Sequence, residues 1–153
     1  MGFELKDASN ESVYKDNLTP QDFEKKGFRT ESIDLALPNG TVKGTQWFFD
    51  GIKMSYFESE LNTPTVFDWK GDVEMVTMHF NLQGKVSMRD QGMGRAFELS
   101  ANQHNIFYGK EAEGQMNVEE LSAKLFLIQL SKNAFLNMAA GGNDAIKQFA
   151  GHV

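Results

Sequence analysis

Asp50-Gly51 stands between two runs that suit a pleated sheet, Gln46-Trp47-Phe48-Phe49 and Ile52-Lys53-Met54-Ser55-Tyr56-Phe57. Both central residues of a type I′ turn need positive φ, which aspartate followed by glycine tolerates, so this spacing predicts a tight β-hairpin. Similar punctuation recurs along the chain at Pro38-Asn39-Gly40, Lys70-Gly71-Asp72, Gly84 and Gln91-Gly92-Met93-Gly94. Segments cut this short cannot build a helical bundle; they direct the chain toward antiparallel sheets.

The segments between the turns alternate as strands do. Ile33, Leu35 and Leu37 are interleaved with Asp34 and Ala36, and a further strand is expected over 65–69. A long strand is expected over 72–83. Val76, Met78, Phe80 and Leu82 lie on one face of it, and Val73, Met75, Thr77, His79 and Asn81 on the other. The second face is only partly polar, which predicts neighbours on both edges and cover on both sides. Val86 with Met88, Phe97 with Leu99, and Ile106-Phe107-Tyr108 continue the pattern, residues 109–120 read as a polar connection, and residues 125–130 read as a central strand.

Helix signals sit at the two ends. Thr19 as N-cap with Pro20 in the first helical position predicts a short helix closed about two turns later by Gly27. Ser131 caps a helix running to about Ala140, Gly141-Gly142 stops it, and Asn143 caps a last short helix ending near Gly151. The expected fold is mainly β, a cupin-like or jelly-roll barrel with a short N-terminal helix and C-terminal helices. Residues 1–40 read as a loosely attached arm with that short helix and the first strand, 41–131 as the barrel, and 132–153 as the helical end.

Composition bounds the chemistry. The chain has 153 residues, thirteen of them Phe and two Trp, enough for one core. It contains no cysteine, which rules out disulfides and thiolate chemistry and fits a reducing cytoplasm. The formal charge is −6 and no basic cluster exceeds Lys25-Lys26, so this polypeptide has no grip on DNA by itself. No segment nears the roughly 20 apolar residues of a membrane span.

Reactive constellations are missing too. A metal-binding barrel of this kind needs two imidazoles at i and i+2; Asn81 stands where the second would follow His79, and His104 and His152 lie elsewhere. The acidic pairs Glu58/Glu60, Glu111/Glu113 and Glu119/Glu120 read as solvated, and there is no nucleophile elbow or phosphate loop. No catalytic residue, metal ligand or cofactor is therefore assigned. The aromatic and methionine content points instead to a small-molecule wall, for which Trp47, Phe49, Met54, Tyr56, Trp69, Met78, Phe80 and the strand-borne Arg89 are the candidates, with Met75, Met88 and Phe107 on strands beside them. For each of these residues, plain core packing is the competing account, and for Arg89 an exposed edge position.

Four segments carry a resemblance: residues 51–56 (GIKMSY), 79–88 (HFNLQGKVSM), 97–109 (FELSANQHNIFYG) and 127–136 (LIQLSKNAFL). Together, across about 47–138, they resemble the sensor half of AraC-type transcriptional regulators. Where that family usually has Pro-Gly before the second long hairpin arm, this chain has Ala101-Asn102, and asparagine tolerates the left-handed conformation such a turn needs. The resemblance implies a cupin-like barrel that accepts a small-molecule effector and is coupled to helices that pair in a homodimer. It also implies that DNA is contacted only through a helix-turn-helix domain, and no such segment lies within these 153 residues. Phe135, Leu136, Met138, Ile146 and Phe149 are expected to carry the packing change of the helices. A small cupin-type enzyme, isomerase or dioxygenase, and a stand-alone binding module are the alternatives.

Overall fold

A computed structural model describes residues 2–91 and 94–153. The chain runs through β1 (Phe3–Lys6), β2 (Ser12–Asp16), a single 3-10 turn (Pro20–Phe23), β3 (Arg29–Leu37), β4 (Gly40–Phe49), β5 (Ile52–Leu61) and β6 (Thr65–Gly71). It continues through β7 (Met75–Gln83), β8 (Val86–Asp90), β9 (Ala96–Leu99), β10 (Gln103–Gly109), β11 (Ala112–Val118), β12 (Ser122–Ser131), α1 (Lys132–Ala139) and α2 (Asp144–Ala150). The strands form two antiparallel sheets, β2-β1-β6-β11-β8-β9 and β10-β7-β12-β5-β4-β3.

The last eight strands pair in nested order: β5 with β12, β6 with β11, β7 with β10 and β8 with β9. That nesting is the jelly-roll arrangement, so the fold is mainly β and cupin-like, as the turn spacing predicts. β1 and β2 lengthen the first sheet, and β3 and β4 the second. The two sheets face each other across a shared core, because one apolar cluster draws Phe67 and Val118 from the first sheet and Leu61 and Ala123 from the second.

Local signals account for most of the joints. Asp50 and Gly51 have φ of 43° and 86°, as a type I′ turn demands, and Phe49 pairs with Ile52 across it. Asn102 takes φ of 64° in the turn between β9 and β10. Ser131 Oγ accepts from the Ala134 amide at 3.2 Å to start α1, and Asn143 Oδ1 accepts from the Ile146 amide at 3.0 Å to start α2. The turn expected through Gly92 and Met93 lies outside the described residues.

Three expectations are corrected. Residues 3–16 are not a loose arm: β1 pairs with both β2 and β6 and is built into the first sheet. The N-terminal helix is one 3-10 turn ending at Phe23, not two turns ending at Gly27, since only Phe23 on it is buried and nothing rewards a longer apolar face. The polar connection over 109–120 contains β11, a central strand between β6 and β8. Its inward positions are Ala112, Gly114, Met116 and Val118, while Glu113, Gln115 and Asn117 point to solvent.

The two helices pack on the outer face of the second sheet. Phe135 is fully buried against Val76 and Leu130, with the Phe149 ring edge-on at 5.5 Å. Leu136 and Ile146 join this cluster. Met138 does not, being 49% exposed on the far side of α1, which corrects its assignment to the packing set.

Candidate ligand-binding cavity

Strand alternation decides which side chains enter the space between the sheets. On β7 the inward residues are Met75, Thr77 and His79, which line an internal cavity of about 750 Å³. Val76 and Met78, between them, meet the helix-side cluster instead. From the first sheet come Leu5, Phe67, Trp69, Met88 and Met116; from the second, Phe57, Asn105, Leu127 and Gln129. A volume of this size suits a drug-sized molecule.

The two walls differ in polarity. Among the described residues, the buried polar side chains are Gln46, Lys53, Ser55, Thr77, His79 and Asn81. All of them lie on the inward face of the second sheet. Lys53 is in register with Gln129 and Gln129 with Thr77, and Gln46 with Ser55 in the adjoining row, so a polar stripe crosses the strands at this level. The facing wall is mostly apolar, with the Trp69 indole, the Tyr14 hydroxyl and Asp90 as its polar groups among the described strand residues.

Most of these buried polar groups are satisfied internally, as burial requires. Asn81 Nδ2 donates to the carbonyls of Gly84 at 2.7 Å and Leu99 at 3.2 Å, clamping the turn after β7 to the end of β9, while its Oδ1, outside the cavity lining, has no partner among the described residues. Gln46 Nε2 donates to the Tyr14 hydroxyl at 3.1 Å and to Ser55 Oγ at 3.3 Å. Lys53 Nζ donates to the Asp16 carboxylate, tying β5 to β2. Two cavity-lining residues differ: Trp69 Nε1 and His79 Nε2 are buried with no hydrogen-bond partner in the protein among the described residues. Burial pushes the His79 imidazole down to about 4, so at neutral pH it carries no charge.

A smaller polar pocket of about 340 Å³ adjoins, bounded by Tyr14, Asp16, Arg29, Gln46 and Phe48. Burial, reinforced by the nearby Asp16 carboxylate, raises the Tyr14 phenol well above its ordinary value. The Arg29 guanidinium lies 4.0 Å over the Phe48 ring.

Of the eight residues expected to form the wall, Trp69 alone lines the cavity. Trp47, Phe49, Met54, Tyr56, Met78 and Phe80 occupy the alternate positions of β4, β5 and β7 and lie on the outer face of the second sheet. Trp47 is in register with Met54, Met54 with Ile128, and Ile128 with Met78. Phe80 stacks on His104 at 5.7 Å between centroids, and Phe49 meets Phe28 at 6.5 Å. Arg89 is exposed on β8, beside the inward Met88, in a strand flanked by both β9 and β11. The correction has one cause. Along β4, β5 and β7 this sheet turns the side that carries these residues outward, partly under helices, and its polar stripe inward. Met75, Met88 and Phe107 do line the cavity. The sequence signal for His79 and Thr77 was the mixed alternation of their strand.

Metal ligation does not fit these residues. His79 is in register with Asn105 on one side and Leu127 on the other, and Asn81, whose Oδ1 has no partner among the described residues, does not line the cavity. Among the described residues, no three His, Cys, Asp or Glu side chains converge to hold an ion. No helix among them is long and apolar enough to cross a membrane.

No protein-family model matches the chain, and no curated protein matches it. Among solved structures, it is similar to the EutQ protein of Clostridium difficile, with 16% identity, 86% of this chain and 96% of that chain covered, and a TM-score of 0.48. It is similar to an RmlC-like cupin from Shewanella frigidimarina, with 9% identity, 65% and 84% covered, and a TM-score of 0.47. An HTH_3 family transcriptional regulator from Vibrio cholerae matches at 12% identity over 58% of this chain and 50% of that chain, with a TM-score of 0.44. Likenesses this distant say nothing of activity; the assignment of the fold rests on the nested strand pairing.

Proposed function

We propose that this chain is the effector-sensing and dimerisation domain of an AraC-type transcriptional regulator, binding a small molecule between its sheets and controlling a separate helix-turn-helix domain. The observation that carries the reading is the double duty of the second sheet. On β7, Thr77 and His79 face the cavity while Val76 and Met78 face the helix cluster, and on β12 Gln129 faces the cavity while Leu130 sits under Phe135. A molecule that shifts these strands shifts the helix bed on their reverse side. Ser131 transmits this directly, since it ends β12 and caps α1.

In this reading the protein works in the cytoplasm, α1 and α2 pair in a homodimer, and no bond is made or broken in the cavity. The ligand acts by favouring one helix arrangement through its own differential affinity. Native mass spectrometry of protein purified from its own host tests the reading: a retained organic molecule, released on unfolding, is expected. One equivalent of iron, manganese or zinc per chain in place of such a molecule would favour a cupin-type enzyme and overturn it.

A further inference from the structure

Trp69 Nε1 and His79 Nε2 come from different sheets, line the same cavity, and are buried without a protein partner among the described residues. Leaving a buried polar atom unpaired costs about 1–3 kcal/mol, so two such atoms lining one cavity mark where a ligand supplies the missing bonds. The indole nitrogen only donates, and a neutral imidazole nitrogen donates or accepts according to its tautomer. A hydroxyl group serves both, because it accepts from the indole and matches either tautomer of the imidazole.

The charge of the ligand follows from what the walls lack. The ionisable cavity residues other than His79 and the tyrosines Tyr14 and Tyr108 are Asp90, Arg95, Lys110 and His152. Arg95, Lys110 and His152 are exposed, and Asp90 is half-buried at the end of β8. Lys53, the buried cation nearest this space in sequence, is paired with Asp16 and lies outside the lining. A carboxylate carried past the rim would face a neutral imidazole and aromatic rings, and a buried unpaired charge is costly. Accepting the ligand-sensing reading on which this rests, we infer that the effector is an uncharged, largely apolar molecule carrying a hydroxyl group that bonds Trp69 and His79.

The test is calorimetric titration of the full chain at pH 7.5 with three compounds of one skeleton: naphthalene, 2-naphthol and 2-naphthoate. The expected order is 2-naphthol tightest, with naphthalene and 2-naphthoate each at least about tenfold weaker, one tenfold step being about 1.4 kcal/mol. Trp69→Phe and His79→Leu should each weaken 2-naphthol by about tenfold and leave naphthalene unchanged. Naphthalene uses neither polar atom and so reports whether a variant keeps its cavity; the wild-type ranking decides the question even where a variant fails to fold. Equal affinity for all three, or 2-naphthoate binding tightest through Arg95 and Lys110, would overturn the uncharged-hydroxyl inference while leaving the cavity a binding site. No binding of any of the three would overturn the ligand-sensing reading itself.

Discussion

Trp69 lies across Gly114, its register partner on the neighbouring strand, and only glycine leaves room for the indole there. A Cβ on Gly114 would stand 3.0 Å from Trp69 Cζ2 and 1.9 Å from the carbonyl oxygen of Arg89, which is backbone and cannot swing aside. Gly114→Ala should therefore bow β11 and displace the Trp69 indole that faces the cavity. Overpacking of this kind costs about 1–3 kcal/mol. Urea unfolding should show that loss, and the emission of Trp69 should shift. Unchanged stability and emission would mean that the indole is not held by this glycine.

The ion pair of Lys53 and Asp16 is nearly buried, with side chains 5% and 13% exposed. Removing one partner of a buried pair strands the other, at about 3–5 kcal/mol. Asp16→Ala should cost this much in a denaturation curve, because Lys53 lies in the interior with Phe48 as its other neighbour. The double variant Asp16→Ala with Lys53→Met should recover most of the loss, since no charge is then left buried. A double variant no more stable than Asp16→Ala would contradict the account.

His79 makes stability depend on pH with a definite sign. Its imidazole is held at about 4 in the folded chain against 6.5 when exposed, so the unfolded state binds the extra proton between those values. The contribution is complete above pH 6.5, declines as pH falls toward 4, and is flat below. A depression of this size corresponds to about 3 kcal/mol. Denaturation curves at pH 7, 5.5 and 4 should show His79→Leu lacking this decline; a parallel decline in the variant would place its origin elsewhere.

Phe135 anchors α1 to the reverse side of the cavity wall and is fully buried. Phe135→Ala should cost about 3–5 kcal/mol, with fast amide exchange over 132–150 as the local signature. Met138→Ala, on the exposed side of the same helix, should cost little.

Much of the architecture was legible in single residues. Asp50-Gly51, Asn102, Ser131 and Asn143 each act locally, through φ or through one capping bond, and local chemistry can be read without knowing the fold. β11 was missed because Glu113, Gln115 and Asn117 are poor strand formers; its place is enforced by pairing with β6 and β8, which no local signal reports. The cavity wall was misread for a related reason. Alternation tells that Met78 and His79 face opposite ways, but which side is interior depends on the helices covering Val76 and Met78. Trp69 lies on the cavity side, with Phe67, because its sheet follows the ordinary rule of apolar side inward.

The claim that the second sheet couples the cavity to the helices is tested most directly by hydrogen exchange with and without saturating 2-naphthol. We expect amides of β7 and β12 and amides of α1, residues 132–139, to slow together, α1 responding although it supplies no residue to the cavity lining and packs through Phe135 on the opposite side of the sheet. Slowing confined to the strands and to α2, whose Phe149 lines the cavity, with 132–139 exchanging identically in both states, would contradict a sensor and leave only a container.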